Sequence, residues 1–182
     1  MVDNAFNFSG GPSGQWKVIK METLIGEPLQ DVSHINVSPA SVSVSQEEIW
    51  TLKGVVSNLR YTEKQEKDSL QAIQENLGRS HAICAALIPM RKSEAWWGLA
   101  QDERRAIFEK QSQHTQTGLK YLPAIARKLY HCRDIGGPFD FLTWFEFAPS
   151  HANAFEELVT RLRSTEEWSY VDREIDIRMI RA

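Results

Sequence analysis

Residues 114–131 are the part of this chain best suited to chemistry. They read H-T-Q-T-G-L-K-Y-L-P-A-I-A-R-K-L-Y-H, and the pattern places His114 at the end of a charged helix. A turn with Gly118 and Pro123 follows, and the next segment carries Arg127. A histidine on a helix and an arginine on the next strand can face one cavity from opposite sides. That pair suits a haem, with the imidazole as axial iron ligand and the guanidinium as a cation for an anionic ligand.

Other common chemistries lack their motifs in this sequence. None of the five histidines forms H-E-x-x-H or H-x-H, and no Cys/His cluster has the spacing of a zinc site. The sequence also has no G-x-S-x-G, no G-x-x-x-x-G-K-[ST] and no dinucleotide fingerprint. The usual hydrolase, NTPase and dehydrogenase interpretations are therefore excluded, and His114 remains the candidate for chemistry.

Composition indicates an ordinary globular protein without a nucleic-acid surface. The 182 residues are 42% hydrophobic and 25% charged, the net charge is −3, and no stretch concentrates Lys and Arg. The two cysteines, Cys84 and Cys132, lie far apart in apolar segments, so we expect reduced core residues. There is no C-x-x-C-H for covalent haem attachment.

The first fourteen residues are rich in Gly and Ser, which predicts a flexible N-terminus over 1–14. This stretch has no basic and apolar signal-peptide regions, and no segment is long enough to span a membrane. We therefore expect no membrane association and a cytoplasmic protein, or a periplasmic one if an export signal has been removed.

Periodicity predicts the elements that must position His114 and Arg127. Residues 34–46 are Ser-rich and Pro-interrupted and predict a connection. Helices are predicted over 63–77, 102–114 and 151–163, and strands over 16–26, 50–62, 81–90, 125–132, 139–147 and 171–181. From residue 81 the order is β-α-β-β-α-β, with one short helix around Trp96, which is the ferredoxin-like pattern. The fold class is therefore α+β, with a ferredoxin-like unit over 81–182 and a shortened copy over 15–80.

Three motifs resemble the chlorite dismutase family, and the resemblance covers most of the chain from residue 50 to residue 181. They are the 114–131 segment, P-M-R-K followed by Trp96 and Trp97, and T-E-E-W at 165–168. The resemblance implies a dimeric α+β barrel with one non-covalent haem b per subunit. It makes His114 the proximal iron ligand and Arg127 the distal arginine of the chlorite-degrading branch.

The same resemblance implies a wider set of cofactor-binding residues. Lys92, Trp96 and Trp97 match a stretch beside the haem propionates, although one tryptophan would serve packing alone. S-N-L-R-Y-T supplies Asn58 and Tyr61 for the propionates. Strict strand alternation would put those two on opposite faces, so the strand must bend or one assignment is wrong.

Further residues would complete both sides of the haem. Glu167 matches the carboxylate that accepts the N–H of the proximal histidine, with Glu166 as a competing choice. Thr143 and Phe145 would line the distal pocket, and Gln74 is a polar partner for Arg127.

The activity implied is a haem b oxidoreductase that converts the small anion chlorite to chloride and dioxygen, with formation of an O–O bond. Arg127 would hold a hypochlorite-level fragment until it recombines. A coproheme decarboxylase is the nearest alternative, but its reactive tyrosine is replaced here by Ile88. The two further alternatives are a haem-binding protein without turnover and a barrel without a cofactor. Because the N-terminal unit is short, its uncovered surface predicts a homodimer.

Overall fold

Eight strands in the described residues form one closed antiparallel barrel in the order β1-β3-β2-β8-β5-β7-β6-β4. The computed structural model describes residues 4–56, 64–73 and 75–182. The strands are β1 (Ala5–Gly11), β2 (Trp16–Ile25), β3 (His34–Pro39), β4 (Trp50–Val56), β5 (Cys84–Lys92), β6 (Ile125–His131), β7 (Phe141–Phe147) and β8 (Val171–Arg181).

Most helices of the described chain lie in the crossovers of its second half. They are α1 (Lys64–Ile73), α2 (Glu94–Gly98), α3 (Gln101–Arg105), a π-helix (Ala106–Gln111), α4 (His114–Leu119) and α5 (Ala152–Arg163). Single 3₁₀ turns occupy Arg133–Ile135, Pro149–His151 and Glu166–Tyr170. Within the described ranges, no helix combines the length and hydrophobicity needed to cross a membrane.

The barrel is built from two sets of four strands with the same order. In the second set the order is β8-β5-β7-β6, with helices between β5 and β6 and α5 between β7 and β8. In the first set the order is β4-β1-β3-β2, but residues 12–15 and 40–49 replace the helical crossovers. The predicted fold class, with a shortened N-terminal ferredoxin-like unit, is confirmed. The boundary between residues 80 and 81 stays a prediction.

The expectation of a flexible N-terminus over 1–14 is wrong for β1. This strand pairs along its length with β3 on one side and β4 on the other, and Phe8 is fully buried. Steric fit requires a glycine at position 10, since a Cβ there would lie 2.5 Å from the Trp50 ring. The expected connection over 34–46 likewise contains β3, because Ile35 and Val37 alternate into the core between polar neighbours.

The single helix expected over 102–114 is also wrong. It divides into α3 and the π-helix, and Gln113 then adopts a left-handed conformation with φ of 50°. His114 therefore begins α4 instead of ending the preceding helix. A helix with i→i+5 bonds carries an extra residue per turn, and such turns are frequent at functional sites.

Two packed layers result from strand alternation. The barrel interior is apolar and aromatic, and β7 contributes Leu142 and Trp144 to it. The opposite face of β7 carries Phe145 and Phe147, which pack under α5 together with Ile88 of β5. Phe139, which precedes β7, packs in the interior. The outer face of the second half is thus the surface on which helices and site residues meet.

The Phe8→Ala variant should lower the free energy of unfolding by about 3–5 kcal/mol, because it leaves a cavity in a filled barrel. Phe8 contacts the rings of Tyr130 and Trp144 at centroid distances of 4.9 and 5.9 Å. Urea unfolding followed by tryptophan fluorescence measures the change. Val42→Ala is the control, since Val42 is 51% exposed and should shift stability by no more than about 0.5 kcal/mol. Equal effects from both variants would contradict the placement of β1.

Candidate functional site

The His114 imidazole is held between two aromatic rings at the start of α4. Phe108 stacks on it at a centroid distance of 4.3 Å and an interplanar angle of 20°. Trp168 lies beyond the imidazole at 6.4 Å and 19°. The left-handed Gln113 turns the chain immediately before His114. The ring therefore has a fixed plane before any ligand binds.

A buried chain of three charged or polar groups runs from this imidazole into the protein. His114 Nδ1 lies 2.7 Å from Glu167 Oε2, and Lys92 Nζ lies 2.8 Å from Glu167 Oε1. Lys92 and Glu167 are each 3% exposed. Charges are retained at such depth only when they are paired and hydrogen-bonded, and each oxygen of Glu167 has such a partner.

Glu167 is ionised, which fixes the direction of the hydrogen bonds. Burial alone would raise the pKa of this carboxyl, but the charges of His114 and Lys92 and their hydrogen bonds lower the pKa to about 2. An ionised carboxylate can only accept, so His114 Nδ1 must be the donor. In the described part of the chain nothing else hydrogen-bonds the ring. Nε2 is therefore not engaged by another described group, and in the neutral imidazole its lone pair can bind a metal.

Lys92 does not lie where the sequence expectation put it. Its ammonium lies 4.2 Å from the centroid of the Trp96 ring and pairs with Glu167, so it belongs to the buried side of the His114 site. The reason for this position is electrostatic. Burial lowers the pKa of Lys92, and the nearby charge of Glu167 opposes that shift. A buried ammonium needs such a counter-charge, and Glu167 supplies it.

The two neighbouring tryptophans divide between two environments. Trp96 is 1% exposed and packs against Lys92 and Tyr170. Trp97 donates from Nε1 to Asp140 Oδ2 at 3.0 Å and lies under the Arg133 guanidinium at 4.3 Å. Trp96 is therefore the one that belongs to the His114 site.

Arg127 lies on β6, directly opposite Phe145 of β7. Its guanidinium reaches α4, since a Cβ on Gly118 would be 3.5 Å from Arg127 Nη1. Burial lowers the pKa of Arg127, and the negative charges of Glu109 and Glu167 raise it. The structure thus brings Arg127 to the same short helix that His114 begins.

The two residues expected to line a distal pocket lie on the outer face of β7. Thr143 is half-buried between Ile88 of β5 and Leu129 of β6. Phe145 is 4% exposed and packs edge-on against Phe155 of α5 at 5.0 Å, so it supports the wall from behind. Asn58, Tyr61 and Gln74 lie outside the described residues.

Sequence reasoning missed two buried polar residues of the π-helical segment. Glu109 Oε1 accepts the backbone N–H of Thr115 at 2.6 Å, and Ser112 Oγ accepts that of Glu167 at 3.0 Å. Both occur in the polar run E-K-Q-S-Q, which has the composition of a solvent-exposed helix face. Nothing in that run distinguishes them from surface residues. Glu166, the competing carboxylate, is exposed.

The donor set is too small for a metal ion held by protein alone. Across residues 4–56, 64–73 and 75–182, no three His, Cys, Asp or Glu side chains are grouped to hold a metal. A metal at His114 Nε2 would need its remaining ligands from another molecule. A single imidazole with a carboxylate behind it is the donor set that a haem iron requires.

Comparison with known proteins places this site in a family of enzymes. The family model described as chlorite dismutase matches residues 27–181. The chain therefore belongs to the chlorite dismutase family. The chlorite dismutase of Ideonella dechloratans is 31% identical over 127 residues, which cover 66% of this chain and 41% of that protein. The chain spans only about two fifths of the length of that relative.

Solved structures extend the match over nearly the whole chain. A dimeric chlorite dismutase from Nitrobacter winogradskyi is 57% identical, with a TM-score of 0.90 over 97% of this chain and 99% of that one. A cyanide complex of a mutant chlorite dismutase from Candidatus Nitrospira defluvii is 20% identical, with a TM-score of 0.67 over 98% and 92% of the two chains. The second likeness shows the shared fold alone.

In the haem-free protein, Glu167→Gln should lower the free energy of unfolding at pH 7 by on the order of 3 kcal/mol. The folded-state pKa of about 2 lies below the ordinary 4.5, so ionised Glu167 stabilises the fold above pH 4.5. The stability gap between wild type and variant should therefore narrow as pH falls from 4.5 towards 2. Urea titrations at stepped pH measure it, with Glu166→Gln as control. A gap that is unchanged at pH 3 would contradict the assignment.

Proposed function

We propose that this protein binds one haem b per subunit and converts chlorite to chloride and dioxygen. The observation that carries the proposal is the buried Lys92–Glu167–His114 chain. It engages His114 Nδ1 and leaves Nε2 available to bind iron. The 57% identity to a dimeric chlorite dismutase over nearly the full length supports the same activity.

His114 would hold the iron through Nε2, and the haem would be non-covalent because the sequence has no C-x-x-C-H. Bound haem iron supplies a coordination site at which a Cl–O bond of chlorite can be cleaved. Glu167 accepts the Nδ1 proton in a strong hydrogen bond, which gives the imidazole anionic character and makes it a stronger electron donor. Lys92 keeps the carboxylate ionised and in place.

Arg127 would provide the cation for the substrate. Chlorite and the hypochlorite-level fragment left after Cl–O cleavage are both anions, so the guanidinium can hold each by charge-assisted hydrogen bonds. Arg127 would thereby keep the fragment within the site until the O–O bond forms. The overall conversion, ClO₂⁻ to Cl⁻ and O₂, is balanced and needs no external electron donor or proton.

Ile88 argues against decarboxylation of coproheme. It is 6% exposed and lies opposite Thr143 on the outer face that carries the site. A decarboxylase of this fold would need an oxidisable phenol at that position, and an aliphatic side chain offers none. Coproheme decarboxylation therefore ranks below chlorite conversion.

Arg127→Ala should keep its haem but evolve oxygen more slowly and release hypochlorite. An oxygen electrode after chlorite addition, combined with a chlorination trap, measures both quantities. We expect a loss of at least tenfold in the initial rate of oxygen evolution, in line with removal of one charge-assisted interaction of about 1.5–3 kcal/mol. Arg161→Ala is the matched control, because Arg161 forms an exposed pair with Glu157 on α5. Wild-type protein that carries haem but evolves no oxygen would refute the proposed activity.

His114→Ala should lose most of its haem, because no second iron ligand lies in the described site. The Soret band after haem titration and gel filtration measures retention. His81→Ala, at an exposed position, should bind haem normally. A normal five-coordinate spectrum in His114→Ala would contradict the ligand assignment.

We also propose a homodimer, as in the Nitrobacter winogradskyi protein. The N-terminal four strands lack helical crossovers, so their outer face has no covering layer within the described chain. Multi-angle light scattering at low micromolar concentration should give twice the 20.8 kDa chain mass. A pentameric mass, or a fully active monomer, would contradict this assembly.

A further inference from the structure

The π-helix before His114 and its C-cap residue carry two buried polar side chains, Glu109 and Ser112, that have no part in the proposed reaction itself. Ser112 ends this turn and is fixed there by its N–H, which donates to the Ile107 carbonyl at 3.0 Å. Glu109 lies one turn earlier, and both side chains are buried. Buried polar groups of this kind are kept where they have defined partners.

Ser112 links the His114 turn to the Glu167 turn. Its hydroxyl accepts the Glu167 N–H at 3.0 Å, although the two residues are 55 positions apart. This N–H lies in the first turn of a 3₁₀ helix, where backbone donors lack partners inside the helix. The contact therefore fixes the Glu167 backbone relative to the residue two positions before His114.

Glu109 fixes the other side of His114. Its carboxylate accepts the Thr115 N–H at 2.6 Å, and Thr115 is 2% exposed. The side chain of Gln113, the N-cap residue of α4, makes no capping hydrogen bond, so Glu109 accepts from the first turn of α4 in its place. Side chains of one π-helical turn thus hold the backbone that follows His114 and the backbone of its partner Glu167.

We propose that Ser112 and Glu109 are positioning residues that set the geometry of the His114–Glu167 hydrogen bond. The inference rests on the proposed function, in which His114 binds the haem iron. A hydrogen bond of 2.7 Å to a carboxylate loses strength with small displacements of either partner. Without the Ser112 contact, the Glu167 N–H loses its partner, and the carboxylate is aligned toward the imidazole only by Lys92 and by the flanking contacts to β8. The donor strength of His114 toward iron would fall as a result.

The first test uses the haem-free protein, so it does not depend on the proposed activity. Nitrogen-15 NMR of labelled histidines, with His114 assigned by its absence in His114→Ala, reports the proton on Nδ1. Wild type should show Nδ1–H strongly hydrogen-bonded, and Ser112→Ala and Glu109→Ala should shift that signal towards an exposed imidazole. Glu109→Gln should restore the wild-type signal, because its amide oxygen can still accept from Thr115.

Ser169→Ala is the matched control, because this exposed hydroxyl bonds only within its own turn, to the Glu166 carbonyl. It should leave the His114 signal unchanged. Should Glu109→Ala fail to fold, Ser112→Ala alone decides the question. An unchanged Nδ1 signal in folded Ser112→Ala would overturn the inference.

The second test uses the haem-loaded protein and reads the iron–histidine bond. Resonance Raman of the ferrous form should show a lower iron–histidine stretching frequency in Ser112→Ala than in wild type, with haem content and midpoint of thermal unfolding recorded alongside. A purely structural role would lower the unfolding midpoint and leave the frequency unchanged, which would also overturn the inference. Protein that binds no haem would refute the proposed function, while the NMR result would still decide the roles of Ser112 and Glu109.

Discussion

The buried ion pair between Lys92 and Glu167 is the interaction on which the site depends. Two charges this deep are tolerated only because each neutralises the other and the second carboxylate oxygen accepts a further hydrogen bond from His114. The pair joins the end of β5 to the turn that follows α5, and through His114 it joins both to α4. Removing either charge would leave the other uncompensated, so the three elements are fixed together.

The position of Glu167 depends in turn on how α5 is attached to the barrel. Arg163, at the end of α5, bonds to Glu174 and Asp176 on the outer face of β8. Trp168 donates to the other oxygen of Glu174 at 2.8 Å while its ring faces His114. The turn that carries Glu167 is thus held on both sides by hydrogen bonds to β8. These contacts fix His114, Glu167 and the strands that carry them relative to one another.

The candidate site could be predicted in part because some signals are local. The T-E-E-W motif named Glu167, and the periodicity of residues 139–147 predicted the strand that the structure shows as β7. Local signals failed where packing overrides composition. The Gly-rich start forms β1 by pairing with β3 and β4, and its Gly10 makes room for the Trp50 ring. The polar residues around Ile35 belong to β3, in which Ile35 is the buried residue. Glycine occurs both in flexible segments and where a neighbouring ring packs closely against the backbone, so composition alone does not distinguish the two.

The sequence by itself determined the strands of the second half and the helix over 152–163, the absence of other catalytic motifs, and the identities of His114 and Arg127 as candidates. Only the tertiary structure decided the role of Lys92, the choice of Trp96 over Trp97, and the participation of Glu109 and Ser112. The physical reason is burial. Whether a lysine or a glutamate is solvated or paired depends on neighbours far away in sequence, as with Lys92 and Glu167, which are 75 positions apart. Only the closed barrel brings those neighbours within hydrogen-bonding distance.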